Sequence, residues 1–210
     1  DIPTAPFQLI KDRSELSALA GRCPTFLKSR TGGYDGKGVM ALNTSSDVEQ
    51  AFDGPYVLEE RTEIALELAV IVVRAQNGTS VVYDPVEMVF DPKLNLVDHL
   101  QAPARIPEAT ASAAKALALK VATALGSPGV LAVELFLTPN GELLVNECAP
   151  RAHNSGHHTI EACASSQFDQ LLRVYMGWPL GDTSLRGLAA MIAGTLCVAV
   201  AAVSQASAAA

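Results

Sequence analysis

The chain has 210 residues, of which 49% are hydrophobic and 18% charged, and its formal net charge at pH 7 is −7. A chain of this length and composition can bury a core, which excludes an intrinsically disordered protein. The acidic balance argues against a nucleic-acid-binding surface, because neutralising phosphates requires clustered Lys and Arg. No two of the four cysteines form a CxxC pair, so we expect reduced thiols rather than a zinc ribbon or a disulfide framework.

Two helices and three strands are predicted along the first 60 residues. A short helix is expected from Ser14, its N-cap, to Gly21, and a second helix over residues 46–54 with Ser46 as its N-cap. The segments TFLK and GVMAL predict two strands on either side of a glycine-rich loop, and PYVLEE predicts a third strand.

Strands are predicted to follow in the middle of the chain. The apolar run over residues 66–75 predicts one strand, and residues 77–84 predict a turn at Asn77-Gly78 and another strand. Residues 129–147 read as a strand, a turn and a strand.

Helices over residues 108–126 and 165–177 complete the prediction. Strands and helices mix without a regular βαβ rhythm, so we expect an α+β fold in which helices cover antiparallel sheets. Residues 188–210 carry no charge, but their apolar part is short and weakly hydrophobic for a bilayer. We expect a buried segment or a frayed tail there rather than a membrane helix.

The stretch RTGGYDGKG, residues 30–38, contains four glycines. Glycines let backbone N–H groups approach an anion, and Lys37 adds a positive charge, so the loop is predicted to lie over phosphates. An ordinary flexible hairpin tip is the alternative. The loop is neither a Walker A loop nor a Rossmann fingerprint, because the glycine spacing differs and no helix follows. Lys28, just before the loop, is a candidate for a phosphate or a base edge, and three acids are candidates for a ribose: Glu59, Glu60 and Glu67.

The hairpin over residues 129–147 is predicted to set two acids opposite each other. Asn140-Gly141 is a strong two-residue turn signal, and pairing outward from it places Glu134 across from Glu147, with Cβ atoms about 4.5–5.5 Å apart. Because their neighbours are apolar, we expect both carboxylates to be buried, where they must share a proton or hold a cation. Magnesium suits such a pair. Two solvated glutamates are the alternative, and a one-residue slip in register would separate them.

Polar side chains are dense in NECAPRAHNSGHHT, residues 146–159. Arg151 would suit a planar anion such as bicarbonate or a carboxylate, through bidentate hydrogen bonds. His153 and His157 have the i, i+4 spacing of a zinc pair, but no third soft ligand is evident and the HExxH pattern is absent. We therefore favour an anion site over a zinc site.

Together these motifs resemble the ATP-grasp enzymes, and among them the 5-(carboxyamino)imidazole ribonucleotide synthases of purine biosynthesis, including the fused carboxylases of fungi and plants. The resemblance covers residues 1 to about 184 and rests on KSRTGGYDGKG, LELAVIVVR, GVLAVELF, LLVNECAPRAHNSGHHTIEA, SSQFDQLLR and GWPLGD. It implies an ATP-grasp fold, in which two α+β subdomains with antiparallel sheets clasp a nucleotide.

The resemblance also implies a domain organisation. Residues 1–62 would form a lid subdomain with the glycine-rich loop, residues 63–186 a core subdomain with the magnesium site, and residues 187–210 an apolar tail. We expect the family's N-terminal and C-terminal domains to be missing from this chain.

An ATP-dependent ligase follows from the resemblance. ATP would phosphorylate bicarbonate to carboxyphosphate, and the exocyclic amine of 5-aminoimidazole ribonucleotide would then take up the carboxyl group. The implied cofactors are ATP and Mg²⁺, the ion being held by Glu134 and Glu147. Positions matching the family's ATP contacts are Lys28, Gly33, Tyr34, Asp35, Gly36, Lys37, Gly38, Glu59, Glu60, Glu67 and Asn146. Positions matching the bicarbonate and acceptor site, and hence the catalytic candidates, are Tyr34, Asp35, Arg151, His153, Asn154 and Ser155.

Two positions depart from the family pattern. Phe90 stands where the family usually has a histidine, and Leu171 replaces the histidine of its QFxxHLR motif. We therefore expect ATP and magnesium binding to be kept better than acceptor binding. An ATP-binding fragment without turnover and another ATP-grasp carboxylate–amine ligase are the alternative functions.

The expected partners are the small-molecule substrates, with no nucleic acid and no membrane. A homodimer and a fused or separate mutase domain are further expectations from the resemblance. The expected location is the cytoplasm, or a plastid if the source is a plant or an alga.

Overall fold

The structure, a computed structural model, describes residues 1–32, 38–91 and 96–192. The chain divides into an N-terminal unit, Thr4–Glu63, and a core unit, which comprises Asp1–Pro3 and Ile64–Ala210. The division falls one residue beyond the expected boundary and assigns the first three residues to the core unit. The roles of lid and core stay predictions.

The N-terminal unit is a four-stranded antiparallel sheet covered on one face. Its elements are strand β1 (Phe7–Ile10), helix α1 (Arg13–Ala18), and strands β2 (Thr25–Ser29), β3 (Val39–Leu42) and β4 (Tyr56–Glu60). Among the described residues, the strand order is β1-β4-β2-β3. The buried face of the sheet packs Ile10, Leu27 and Tyr56 against Leu16 of α1. The predicted pairing of two strands around the glycine-rich loop is confirmed, because β2 and β3 are antiparallel neighbours.

The first helix begins earlier than predicted, so Ser14 is not its N-cap. Asp12 is the cap, and its carboxylate accepts hydrogen bonds from the backbone N–H groups of Ser14 and Glu15. A carboxylate is favoured there because it faces the positive end of the helix dipole. Gly21 is also not the stop signal, since α1 ends at Ala18 and a 3₁₀ turn, Ala20–Arg22, follows.

The second predicted helix is a 3₁₀ helix, Ser45–Gln50, rather than an α-helix. Its N-cap is Thr44 and not Ser46, and Thr44 and Asp47 form a capping box. Asp47 also accepts a hydrogen bond from the backbone N–H of Asn43.

The core unit is built on a larger antiparallel sheet. Its elements are β5 (Leu66–Arg74), β6 (Ser80–Val82), β7 (Val86–Asp91), β8 (Leu96–Ala102), α2 (Glu108–Leu125), β9 (Gly129–Leu137), β10 (Leu143–Ala149), α3 (Thr159–Ala162), α4 (Gln167–Met176) and β11 (Ala189–Ile192). In the described part of the chain, the strand order is β10-β9-β5-β7-β8-β11, and β6 pairs with the C-terminal end of β5. The predicted α+β class with helix-covered antiparallel sheets is confirmed.

Two helices cover opposite faces of this sheet. The alanine-rich α2 packs Ala114 and Ala118 against Leu68 and Val70 of β5, because small side chains let the helix approach closely. On the other face, Val174 of α4 lies in a cluster with residues of β5 and β9. The predicted ends of both helices are confirmed by left-handed glycine caps.

The predicted apolar tail begins as part of the sheet. Ala189–Ile192 form β11, which pairs antiparallel with β8. Residues 193–210 lie outside the described residues. None of the helices in the described ranges combines the length and the hydropathy that crossing a bilayer requires.

Candidate functional site

Three glutamates from neighbouring strands share one face of the core sheet. Glu134 of β9 lies opposite Glu147 of β10 on one side and opposite Ala69 of β5 on the other. Glu67 lies two residues before Ala69 on β5, so its side chain points to the same face as that of Glu134. This face is the one that α4 covers farther along the strands. The sheet register therefore assembles a carboxylate cluster, which we define as Glu67, Glu134 and Glu147.

The predicted pairing of Glu134 with Glu147 is confirmed, but the predicted two-residue turn is wrong. Thr138 pairs with Glu142, which leaves a three-residue loop ending at Gly141, whose φ is 82°. This loop alone would place Glu147 opposite Val133. A bulge between Val145 and Glu147 shifts the register by one residue and restores the glutamate pair. The longer loop and the bulge shift the register by one residue in opposite directions, so their effects cancel. Asn146 is the extra residue of the bulge.

The members of the carboxylate cluster differ in how deeply they are buried. The expectation that Glu134 and Glu147 are both buried is therefore wrong. The side chain of Glu134 is 15% exposed, whereas Glu147 lies on an edge strand and is exposed. Burial raises the pKa of Glu134 to about 7, and the charges of Glu147 and Glu67 add to the rise. Burial also raises the pKa of Glu67 to about 7. Ionisation of these carboxyl groups is therefore disfavoured, and a bound cation would favour it.

The donor set of this cluster fits magnesium. Its ligating atoms are carboxylate oxygens, and Mg²⁺ takes one or two carboxylates together with waters and substrate phosphates. Over the described residues, no three His, Cys, Asp or Glu side chains form a ready-made metal cluster. The protein ligands of such a site would be Glu134 and Glu147.

His153 faces the carboxylate cluster from the loop after β10. Its Nε2 lies 3.5 Å from Oε1 of Glu134, and the ring is largely buried. The backbone N–H of Ser155 donates to Nδ1 at 3.3 Å, and the Ser155 Oγ lies 2.8 Å from the same nitrogen. Since a backbone N–H can only donate, Nδ1 holds the lone pair and Nε2 carries the proton in the neutral ring. An N–H group therefore points at Glu134.

The geometry does not form the alternative zinc pair. His153 has extended backbone angles and caps the 3₁₀ turn Asn154–Gly156, so the i, i+4 spacing does not place both rings on one helix face. The His157 ring instead stacks on Phe168, with 5.8 Å between the ring centroids.

The other predicted residues of this loop lie at different depths. Arg151 is exposed, and its Nη1 donates to the carbonyl of Ala152. Asn154 is exposed, whereas Ser155 is buried. His158, which the sequence analysis missed, is 3% exposed, and its Nδ1 donates to the Ser155 carbonyl at 2.9 Å. Two adjacent histidines gave no signal of which one is buried.

In the N-terminal unit, Lys28 and Glu59 form an ion pair of 2.7 Å on the face of the sheet that α1 leaves uncovered. The register puts Leu9 and Val39 on the same face, and both are exposed. An ion pair within an exposed apolar sheet face can hold a flat ring and hydrogen-bond its edge.

Glu60 does not share that face with Glu59. It points to the opposite side of β4, and its Oε1 accepts from Arg22 at 2.8 Å. The two adjacent acids that the sequence grouped together are therefore separated by the strand.

Five predicted residues lie outside the described residues: Gly33, Tyr34, Asp35, Gly36 and Lys37. Gly38 is described, with a φ of 80°, and its carbonyl accepts from the Ser29 backbone N–H at 2.7 Å. Phe90 and Leu171, where we expect departures from the family pattern, are half-buried and pack against the clusters on the α4-facing side of the core sheet.

Comparison with known proteins gives consistent results. A family model described as the ATP-grasp domain matches residues 1–168. The N5-carboxyaminoimidazole ribonucleotide synthase of Bacillus subtilis (strain 168) is 42% identical over 187 residues, which are 86% of this chain and 49% of that protein. The bifunctional purine synthesis protein purC/E of Dictyostelium discoideum is 41% identical over 197 residues, which are 87% of this chain and 20% of that protein.

A solved structure is similar over most of the chain. The N5-carboxyaminoimidazole synthase of Aspergillus clavatus, in complex with ADP and 5-aminoimidazole ribonucleotide, is 33% identical with a TM-score of 0.80. The match covers 91% of this chain and 52% of that chain. This chain thus spans about half the length of the synthases that it matches.

Proposed function

The chain belongs to the ATP-grasp family, and we propose that it is the ATP-grasp part of a 5-(carboxyamino)imidazole ribonucleotide synthase. In this reaction the γ-phosphoryl group of ATP passes to an oxygen of bicarbonate, which gives ADP and carboxyphosphate. The exocyclic amine of 5-aminoimidazole ribonucleotide then attacks the carboxyl carbon, phosphate leaves, and the nitrogen loses a proton. The proposal is supported by relatives of that name at about 40% identity.

The observation that carries the proposal is the carboxylate cluster. Phosphoryl transfer depends mainly on positioning and on neutralising charge, so a site for it needs cation ligands beside groups that hold phosphates. Glu134 and Glu147 face each other, and burial together with the nearby acids disfavours the ionisation of Glu134, which fits a pair of magnesium ligands. A magnesium ion held there would neutralise the charge of the nucleotide phosphates.

We assign the nucleotide contacts residue by residue. Lys28 suits a phosphate or a base edge, Glu67 a ribose hydroxyl, and Asn146 a phosphate next to Glu147. Glu59 holds the ammonium of Lys28 at 2.7 Å and so fixes the position of that charge. Because Glu60 pairs with Arg22 on the other face of β4, we favour Glu59 over Glu60. The loop residues Gly33, Tyr34, Asp35, Gly36, Lys37 and Gly38 complete this proposed set.

We assign bicarbonate and acceptor contacts to the loop after β10. The exposed guanidinium of Arg151 would bind the planar bicarbonate through two parallel hydrogen bonds. The Nε2–H of His153 would donate to an oxygen near Glu134, and the exposed Asn154 would orient the acceptor. Ser155 acts indirectly, since it is buried and holds the His153 ring. Tyr34 and Asp35 remain proposed members of this site.

Phosphate release tests the proposal. The purified chain is incubated with ATP, Mg²⁺, bicarbonate and 5-aminoimidazole ribonucleotide. Omitting ATP, Mg²⁺ or bicarbonate should abolish release, and omitting the ribonucleotide should lower it. Release that needs a different carboxylate acceptor would identify another ATP-grasp ligase. Nucleotide binding without release would identify a binding fragment, and the absence of both would contradict the proposal.

We also propose where and with what this protein works. Free cysteines at positions 23, 148 and 163 suit a reducing compartment such as the cytoplasm, or a plastid in a plant or alga. The bifunctional Dictyostelium relative supports a fused mutase domain. A homodimer is a further proposal, and size-exclusion chromatography with light scattering would test it.

A further inference from the structure

Gln167, the first residue of α4, holds the backbone of His153 with both ends of its fully buried amide. Its Nε2 donates to the carbonyl oxygen of His153 at 2.8 Å, and its Oε1 accepts from the backbone N–H of His153 at 3.0 Å. These two bonds copy the two-way pairing between antiparallel strands. An amide turned over would set donor against donor, so only one orientation of the side chain satisfies both.

The surrounding loop leaves room for this amide. A Cβ built on Gly156 would lie 2.5 Å from Oε1 of Gln167, so any side chain there would displace the amide. Thr159 supports the same contact, since its Oγ1 accepts from the Gln167 backbone N–H at 2.9 Å and donates to the Gly156 carbonyl. The start of α4 and the loop that contains Gly156 therefore both pack around the side chain of Gln167.

Three successive contacts connect the Gln167 amide to the carboxylate cluster. Gln167 fixes the His153 backbone, Ser155 fixes the His153 ring, and the ring directs Nε2 toward Glu134 at 3.5 Å. A displacement of the His153 backbone would change that last distance, because Ser155 moves with the same loop.

We propose that Gln167 is a positioning residue, whose amide sets the distance between His153 Nε2 and the carboxylate of Glu134. The consequence for metal and nucleotide rests on the proposed function, in which Glu134 is a magnesium ligand. Removing groups that orient the surroundings of a metal typically weakens metal affinity or activity by about 10–100-fold. We expect the loss of the Gln167 amide to fall in that range.

Gln170 provides a matched control on the same helix. It is also fully buried, and its amide makes the same two bonds with Gly181, at 2.8 and 2.9 Å. The segment around Gly181 contains none of the proposed site residues. Replacing Gln170 therefore removes an equivalent contact from the fold and leaves His153 in place.

The experiment compares Gln167→Met with Gln170→Met, since methionine keeps the volume and loses both hydrogen bonds. Three quantities are measured in the full chain: the melting temperature, the ¹⁵N chemical shifts of the His153 ring at one pH, and the Mg²⁺ concentration for half-maximal ADP binding. Both variants should melt at a similarly lower temperature. Only Gln167→Met should change the His153 shifts and raise the Mg²⁺ midpoint at least about 10-fold, with Gln170→Met within about twofold of the original chain.

Unchanged His153 shifts in Gln167→Met, or equal effects of both variants on the Mg²⁺ midpoint, would overturn the proposal. If the original chain shows no Mg²⁺-dependent ADP binding, the proposed function fails, while the His153 shifts still decide the role of Gln167. Should Gln167→Met not fold, Gly156→Ala tests the same contact, because the added Cβ pushes the amide away. It should produce the same change in the His153 shifts.

Discussion

At the scale of single residues, the fold tolerates an electrostatic cost around Glu134. Buried and close to two other acids, this carboxyl has its pKa raised to about 7. Opposed like charges destabilise a strand pair, so a sheet selected for stability alone would place a neutral residue there. Retained charge of this kind is typical of functional sites, where activity is kept at the expense of stability.

Neutralising Glu134 should separate its effects on stability and on binding. In Glu134→Gln without divalent ions, we expect the free energy of unfolding to rise by about 0.5–2 kcal/mol, because the repulsion is relieved. With Mg²⁺, the same variant should bind ADP at least about 10-fold more weakly. Urea unfolding in a chelator and calorimetric titration with Mg²⁺ measure the two effects.

Glu147→Gln and Glu142→Gln complete that comparison. Glu147→Gln should also weaken binding in Mg²⁺, since it is the second proposed ligand. Glu142, exposed at the turn of the same hairpin, should change neither quantity. Equal losses of binding with and without Mg²⁺ in the Glu134 and Glu147 variants would argue against a metal role.

His158 gives the fold a dependence on pH. Burial is the main cause that lowers the pKa of its ring from 6.5 to about 4. The folded chain thus keeps the ring neutral, while the unfolded chain takes up the proton first. The stabilisation is complete above pH 6.5 and is lost as the pH falls toward 4, which amounts to about 2 kcal/mol between pH 8 and pH 5.

His158→Asn should remove this loss. The asparagine amide can still donate to the Ser155 carbonyl but does not titrate. Between pH 8 and pH 5, the free energy of unfolding of the variant, measured with urea, should therefore fall less than that of the original chain. The difference should be about 2 kcal/mol. His157→Asn, at the neighbouring position whose ring stacks on Phe168, serves as the control and should keep the original dependence. An unchanged dependence in His158→Asn would contradict the assignment.

At the scale of secondary-structure elements, two glycines carry the same sequence signal and have different structural roles. Both were predicted to end helices. Gly126 ends α2 with a φ of 67°, and its backbone N–H bonds to the Ala122 carbonyl. Gly21 instead lies within a 3₁₀ turn after α1, outside the left-handed region.

Substitution by alanine should distinguish the two glycines. Gly126→Ala forces a Cβ into the left-handed region and should cost about 1 kcal/mol. Gly21→Ala meets no atom within 4 Å and should be neutral or stabilising by up to about 1 kcal/mol. Urea unfolding measures both, and equal costs would mean that backbone conformation does not decide the effect.

The sequence predicted these elements better than it predicted their ends. Apolar runs and turn signals identified seven of the eleven strands in the described residues, whereas β1, β7, β8 and β11 were not predicted. The caps of α1 depended on which of Asp12 and Ser14 reached the free N–H groups. The facing pair of Glu134 and Glu147 was predicted from a turn that does not form. A bulge at Asn146 compensates for it, and no local pattern signalled that bulge. Similarly, the separation of Glu59 from Glu60 follows from strand alternation, which the grouping of adjacent acids overlooked.

At the scale of the whole molecule, the proposed function requires an acidic chain to bind an anionic nucleotide. The net charge of −7 repels phosphates, so binding requires local compensation. In the proposed function, Lys28 would provide one positive charge, and the carboxylate cluster would need a cation before it could approach phosphates. Mg²⁺ should therefore control binding in this chain more than ionic strength does.

Ligand-linked stability tests this dependence on the intact chain. ADP at 100 times its measured Kd should raise the free energy of unfolding by about 2.7 kcal/mol when Mg²⁺ is present, because only the folded chain binds it. The same ADP concentration in a chelator should give a much smaller increase, and Glu147→Gln should lose the difference between the two conditions. A Mg²⁺-dependent increase without phosphate release would identify a binding fragment. An increase that is equal with and without Mg²⁺ would contradict a metal-dependent nucleotide site, since the repulsion between the carboxylates and the phosphates would then have no role in binding.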